Sequence, residues 1–453
     1  MFRARPQRYA RRTVRSAQAA LARLAHVAIA RRDGWCAAEA IDLDECKEQY
    51  LSNQYRAFWW AAALVCAALL GACQAAAQPQ AAVPTAPPPT QALAPATAQP
   101  TAPATNIPAP AATAAPTKAP SRYATMFIEA PSLRDNQLGE KDQRTISVYL
   151  PPSYFTTDAR YPVVYYLPGY TDTSMLGFAL PGGADQLIGS GSIREMIIVV
   201  ANGANVLGGS FYVNSPVTGG WENFIVKDVV GYVDAHYRTV AQASARAISG
   251  HSMGGFGALN IGMRHPEVFS AIYSLSPGLF DPNGLAESQM FASESLISRF
   301  LDYEQQVAAL PAEQARRAML ISPDNFTLAY ALAFAPNLGK QPPYFDYPYT
   351  QTGGELARDE AIWKRWDAGF GGIPEKIQQY KANLMGLNGL VIDYGRQDQY
   401  KWIPKGCEYF DAQLTAAGIP HELRAYDGGH ESHLSERIGA YMLPFLSERL
   451  GAE

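Results

Sequence analysis

Two metal-binding signatures are missing from this chain: neither a Cys-x-x-Cys pair nor a His-Glu-x-x-His helix occurs in its 453 residues. Structural zinc and zinc-hydrolase chemistry therefore have no recognisable ligand set. The segment DPNG at Asp281 is too short for a calcium loop and reads as a turn, so neither a metal nor another cofactor is expected. Cysteine is scarce. Of the five, at positions 36, 46, 66, 73 and 407, only Cys73 and Cys407 lie beyond residue 72, which excludes a disulfide-stapled scaffold. Basic charge is also short. The formal net charge is −4, and residues 1–72 hold 11 of the 37 Lys and Arg but 6 of the 41 Asp and Glu, so beyond them 26 basic residues face 35 acidic ones. Such an acidic body is a poor partner for nucleic acid or an anionic membrane surface. Long hydrophobic runs are absent too: Phe58–Ala72 offers 15 residues, where a bilayer span needs about 20.

Methionine is missing between Met1 and Met126. Yet the run from Phe58, preceded by Arg56 and closing on small residues, has the anatomy of an export signal, which works best near the start of a chain. Translation is therefore expected to begin near Leu51 at a non-AUG codon, leaving residues 1–50, Ala-rich and with nine Arg, outside the native protein. Arg11-Arg12 and Arg31-Arg32 are not followed directly by an apolar run, as a twin-arginine signal requires. Residues 51–72 read as a signal peptide whose ending, Leu70-Gly71-Ala72-Cys73, resembles a bacterial lipobox. That resemblance implies a lipidated Cys73 as the mature N-terminus; a plain signal peptide or a short membrane anchor is the alternative. Between Gln74 and Pro120 lie 12 of the chain's 33 prolines, among Ala, Thr and Gln, with no aromatic residue and one charge, Lys118. This composition cannot bury enough apolar surface to offset its ordering entropy, so residues 73–120 are expected to be a disordered tether. The protein is accordingly expected outside the cytoplasm of a bacterium, held to the membrane by its N-terminal lipid alone, or secreted.

At Ser121 the composition changes. RTISVYLPPSYF, RYPVVYYLPGY and REMIIVVANG are short β-rich runs, and ENFIVKDVVGYVDAHY carries apolar residues at helical spacing. The strand ARAISG, the helix GGFGALNIGMRH, the strands SAIYSLSP and GLVIDYG, and a final helix LSERIGAYMLPFLSERL follow. Continuous apolar strands alternating with helices predict an α/β domain over 121–453, a mostly parallel, doubly wound sheet covered on both faces. Ligands meet such sheets at the carboxyl ends of their strands.

Ser252 lies at such an end. In SGHSMGG the serine is flanked two positions away by Gly250 and Gly254, between a buried strand and a long helix. A sharp strand-to-helix turn strains the serine and brings backbone close on both sides, which calls for small residues there. A serine hydroxyl needs a base, itself oriented by an acid. Of the later histidines, His265 belongs to the helix after the turn, and His421 opens the strand HELRAYDG. His430 follows that strand in YDGGHESH, where Gly428-Gly429 lets the loop fold toward the serine; His433 competes three residues on. For the acid, Asp398 in the loop after GLVIDYG is preferred over Asp393 within it, which suits a strand-end hydrogen-bond acceptor. The substrate's developing oxyanion should meet two backbone N–H groups, from Met253 after the nucleophile and from Tyr170 after YPVVYYLPG.

From Ile128 to Leu446 the chain resembles the esterase D superfamily of α/β-hydrolases. The resemblance is carried by SVYLPPSY, YPVVYYLPGYTDT, WENFIVKDVVGYVDAHYRT, SGHSMGGFGAL, RHPEVFSAIYSLSP, GRQDQY and GGH. It implies an α/β-hydrolase fold, a Ser252, Asp398, His430 triad and oxyanion donors at Met253 and Tyr170. Relatives in that superfamily include feruloyl and acetylxylan esterases, S-formylglutathione hydrolases and mycolyltransferases. Pro168 departs from the histidine or aspartate usual there. The implied activity is serine ester hydrolysis through an acyl-enzyme, on a small-molecule or polysaccharide-linked ester. Acyl transfer to a sugar or glycerol hydroxyl is the alternative, and an inert surface-binding protein a third reading.

Residues 279–385 interrupt the core with a largely helical insert and an aromatic, Pro-rich centre, ALAFAPNLGKQPPYFDYPY. An insert between late strands of this fold overlies the site, so a lid or acyl-binding wall is expected, with Tyr344 and Phe345 as substrate-binding residues; added core packing is the alternative.

Overall fold

The computed structural model describes residues 122–172 and 179–451. Residues 1–50, the signal segment 51–72, the lipobox cysteine Cys73 and the linker to residue 120 lie outside the described residues. Eight strands make the main sheet: β1 (Arg122–Glu129), β2 (Gln143–Leu150), β3 (Val163–Leu167), β4 (Ile197–Ala201), β5 (Arg246–His251), β6 (Ala271–Leu275), β7 (Gly389–Gly395) and β8 (Glu422–Tyr426). Their order is β1-β2-β4-β3-β5-β6-β7-β8. Only β2 runs against its neighbours, β1 and β4; every other pair is parallel.

The strands are continuous apolar runs because both faces of the sheet are covered. Val163, Tyr165 and Leu167 of β3 point into one core while Val164 and Tyr166 point into the other, as a period of two demands. The first core takes Ile225 and Val233 of the helical stretch after Trp221, the helix following Ser252 (Met253–Arg264), and Phe410 and Leu414 of Trp402–Ala417. The second takes Ala184 and Ile188 of the helix Ala179–Gly189, and Leu443 and Leu446 at the end of the chain. This is the doubly wound α/β-hydrolase architecture expected.

Some local geometry differs from the expected elements. The stretch after Trp221 passes through a π-helical segment, Phe224–Val229, before its α-helical end, Val230–His236. The final helix widens into a π-helix at Arg437–Met442, just before Pro444 in Leu443–Arg449; proline offers no N–H to the turn before it. Strand β1 was not anticipated. It pairs along its whole length with β2 at the sheet edge, and its Phe127 is 75% exposed, so no buried apolar run marks it.

The insert is helical apart from a hairpin, Tyr349–Thr352 with Glu355–Arg358. Its buried aromatics are continuous with the first core and gather around the fully buried Trp366. The Trp366 indole N–H donates to Asp346 O (2.8 Å), and Tyr330 hydroxyl donates to Trp366 O (2.9 Å) while accepting the Phe370 N–H (2.9 Å). Asp346 receives Arg365 (2.7 Å) and Asn337 (2.9 Å). These bonds turn the segment around Asp346 inward, and that corrects the expectation for Tyr344 and Phe345. Phe345 is wholly buried against Phe300 and Trp366, and Tyr344 is 9% exposed; neither lines the cavity at Ser252.

Phe345→Ala should therefore cost about 3–5 kcal/mol of stability, measured by denaturant or thermal melting. The ratio of turnover on long and short acyl esters should stay unchanged. A shifted ratio at full stability would return this residue to the pocket.

Candidate active site

Ser252 links β5 to the helix Met253–Arg264 with φ 58° and ψ −116°. A residue with a side chain holds that conformation only where its surroundings impose it. Here they do: the Ser252 N–H donates to Leu275 O at the end of β6 (2.8 Å), and its carbonyl accepts the Phe256 N–H (3.0 Å). Gly254 is obligatory, since a Cβ on it would fall 1.8 Å from Leu167 O at the end of β3. The strained turn lifts Oγ above the sheet's carboxyl edge.

The loops after β7 and β8 bring two further groups to the serine. Ser252 Oγ lies 2.8 Å from His430 Nε2, and His430 Nδ1 lies 2.6 Å from Asp398 Oδ2. A carboxylate only accepts, so Nδ1 carries the proton and Nε2 presents its lone pair to the serine hydroxyl. Asp398 is completely buried, and its other oxygen accepts the Tyr400 N–H (2.8 Å). The two loops can meet because Gly395 ends β7 without a side chain; a Cβ there would sit 2.3 Å from Gly428 O.

The competing residues are engaged elsewhere. Asp393, inside β7, accepts from Tyr273 hydroxyl (2.5 Å) and from Arg437 Nε (2.9 Å) and Nη2 (2.7 Å), a buried structural pair. His433 is exposed beside Glu436 (3.1 Å), His265 is held between Glu222 (3.0 Å) and Glu267 (2.9 Å), and His421 faces Asp411 (3.0 Å).

Met253 and Tyr170 border the same cavity as Ser252 and His430. Met253 contributes the first N–H of its helix, and its Sδ accepts the Phe211 N–H (3.4 Å). In the other loop, Thr171 and Asp172 donate their N–H groups to Gly208 O (2.9 Å) and Gly169 O (3.2 Å). The Tyr170 N–H has no acceptor among the described residues, while its hydroxyl anchors the loop to Leu207 O (2.5 Å). Pro168, the departure in this loop, uses its carbonyl to accept the Tyr212 hydroxyl (2.9 Å).

Sequence reasoning missed His251. It ends β5, is buried, and its Nε2–H donates to His430 O (2.9 Å), with the two rings 4.7 Å apart. It thus fixes the backbone of His430 rather than its ring. The signal lay beside the nucleophile: a histidine at the buried end of a strand must find a partner there.

The cavity holds about 580 Å³. In its lining Tyr170, Phe211 and Phe326 cluster at centroid distances of 5.1 to 6.2 Å. Tyr400 stands edge-on to His430 at 5.1 Å, with Trp402 next to it at 6.0 Å. Phe326, Phe370 and Gln289 come from the insert, which therefore does wall the site, though through residues other than Tyr344 and Phe345. The arrangement can take a proton from a serine hydroxyl inside an aromatic cleft bordered by Met253 and Tyr170.

A family model described as "Putative esterase" matches residues 138–433. An esterase of Mycobacterium tuberculosis is 32% identical over 137 residues, which cover 29% of this chain and 28% of that protein. An S-formylglutathione hydrolase of Arabidopsis thaliana is 29% identical over 152 residues, covering 29% of this chain and 51% of that one. The chain thus matches only 28% and 51% of the lengths of these curated relatives. Among solved structures, a ferulic acid esterase superposes with a TM-score of 0.50 at 23% identity, over 73% of this chain and 99% of that one, a likeness of fold.

Burial, followed by the proximity of His430, holds the His251 imidazole down at about pKa 3, against an ordinary 6.5. Since the unfolded chain takes up this proton first, the stabilisation is complete above pH 6.5 and is lost as pH falls toward 3. His251→Phe should remove that component, so the wild-type minus variant difference in unfolding free energy shrinks across this window. It should also lower kcat about tenfold by freeing the His430 carbonyl, with partial recovery in His251→Gln. A constant difference between pH 3 and 6.5 would refute a buried neutral histidine.

Proposed function

The chain belongs to the esterase family, within the esterase D superfamily that its motifs resemble, and on that premise we propose that it is an exported serine ester hydrolase working through an acyl-enzyme. The observation that carries this reading is the hydrogen-bonded line from Ser252 through His430 to the buried Asp398, opening into one cavity.

In this reading Ser252 Oγ attacks the ester carbonyl carbon as His430 Nε2 accepts the hydroxyl proton. The carbonyl oxygen becomes an oxyanion that the Met253 and Tyr170 N–H groups receive. Asp398 stays ionised and holds the imidazolium in place. As the tetrahedral intermediate collapses, the bond to the alcohol oxygen breaks and His430 gives that oxygen its proton. Water then enters and attacks the acyl carbon as it loses a proton to His430; the bond from that carbon to Ser252 Oγ breaks, His430 returns the proton to Oγ, and the acid leaves. The relatives' names support ester hydrolysis and leave the natural ester to this cavity's own shape.

Export rests on the segment from Leu51 to Cys73 and its lipobox-like end. Among the described residues no helix is long and apolar enough to cross a membrane, and in this proposal the lipid on Cys73 is the membrane attachment. Mass spectrometry of the protein from its own host should find an N-terminal lipid-modified Cys73. In a Cys73→Ser precursor, peptides between Phe2 and Arg32 would overturn the start near Leu51.

Ser252→Ala should abolish ester turnover, and Asp398→Asn and His430→Ala should each cost on the order of 10³-fold or more in kcat. His433→Ala should be nearly neutral, and Asp393→Asn should cost stability rather than turnover per folded molecule. Near-normal turnover in Ser252→Ala would sink the mechanism. An acylated glycerol as the main product with added glycerol would move the reading to acyl transfer.

A further inference from the structure

Among the polar side chains on the cavity wall that the relay does not use, with Thr171, Asp172, Glu431 and Ser435, is Gln289. Gln289 belongs to the insert and lies beside Trp402. An indole N–H can only donate, so the Gln289 atom it meets at 3.2 Å is the carbonyl oxygen, and the amide's orientation is settled. Its NH2 group takes the other position, where no acceptor meets it among the described residues. Trp402 cannot swing away to release the amide, because its ring is 5% exposed and packs on Phe280 (5.0 Å) and Phe370 (5.8 Å). The wall therefore presents two fixed N–H donors with nothing among the described residues to receive them. Such donors are costly in an aromatic cleft unless a ligand or water accepts them.

Their place says which half of an ester they face. The leaving oxygen must approach His430 Nε2, which gives it a proton. Tyr400 stands against His430, Trp402 follows Tyr400, and Gln289 is fixed to Trp402. This wall thus continues from His430, and Phe370 joins it in turn to Phe211 beside Tyr170 and Phe326. Tyr400 is 39% exposed and offers an apolar ring surface on which C–H groups can rest.

Resting on the ester-hydrolase reading, we infer that Gln289, oriented by Trp402, is a specificity-determining residue of the leaving-alcohol subsite. It donates to a hydroxyl or ether oxygen of an oxygen-rich alcohol, such as a glycerol or sugar unit. A simple alkyl alcohol leaves both donors unpaired, and discrimination against it follows from that penalty. The same subsite receives any alcohol that attacks the acyl-enzyme in the reverse direction.

The test compares glyceryl and methyl esters of one acid. Gln289→Glu keeps an oxygen for Trp402 but loses the donors; Gln289→Leu loses both and guards against an effect of the added charge. In each variant the ratio of kcat/KM for the glyceryl ester to that for the methyl ester should fall about fivefold or more. In parallel, calorimetry should find the glyceryl ester bound more weakly to Ser252→Ala protein by a similar factor once Gln289→Glu is added. An unchanged ratio together with unchanged binding overturns the inference. Weakened binding in a protein whose wild type turns over neither ester upholds the subsite and overturns the hydrolase reading instead.

Discussion

The site depends on one close approach of backbone to backbone, where the turn at Ser252 meets the end of β3. The distance that a Cβ on Gly254 would have to Leu167 O, 1.8 Å, means that no larger residue fits without moving a central strand of the sheet. With that contact in place, the chain has no room to relax Ser252 out of its positive φ. The parallel sheet makes the contact stiff: β3 and β5 are interior strands, each paired on both sides. Strain at the serine is thus held by the part of the fold least able to yield.

From this fixed point the other two groups are set by the loops after β7 and β8. Adjacent parallel strands end at the same edge, so their loops are neighbours, and the Gly395 and Gly428 backbones close the gap between them. Asp398 is then buried with both oxygens occupied, one by the His430 imidazole and one by the Tyr400 N–H. A fully buried carboxylate needs such partners to remain charged. His251 completes the frame by holding the His430 backbone from the strand that also delivers the serine, so Ser252 and His430 share one rigid support.

Much of this was legible in the sequence, for physical reasons that differ by element. The interior strands announced themselves because burial on two faces leaves only apolar runs such as VVYYL and IIVVA. The turn at Ser252 was legible because close approach admits only small residues, and the loop residues Asp398 and His430 because a group that must leave the sheet edge follows a strand rather than sitting in it. Strand β1 was not legible: an edge strand with one exposed face has no continuous run. His251 was overlooked because its role lies in a backbone carbonyl 179 residues away, and spacing carries no trace of such a contact. Tyr344 and Phe345 misled because aromatic composition says that rings will pack, but not against what.

The insert separates two tasks that composition alone merges. Its inner aromatics, Phe345, Tyr347 and Trp366, pack on one another and are tied by the bond from the Trp366 indole to Asp346 O, while Phe326, Phe370 and Gln289 face the cleft. Tyr330 joins the two sets: it meets Phe370 edge-on at 5.1 Å and donates to Trp366 O. A wall built in this way is positioned by the insert's packing and by Trp402 and Phe256 beside it, and the relay is anchored in the sheet. Substitutions on the wall can therefore alter which ester fits without displacing the serine, the histidine or the aspartate, and changes in the sheet edge can disable the relay while leaving the wall intact.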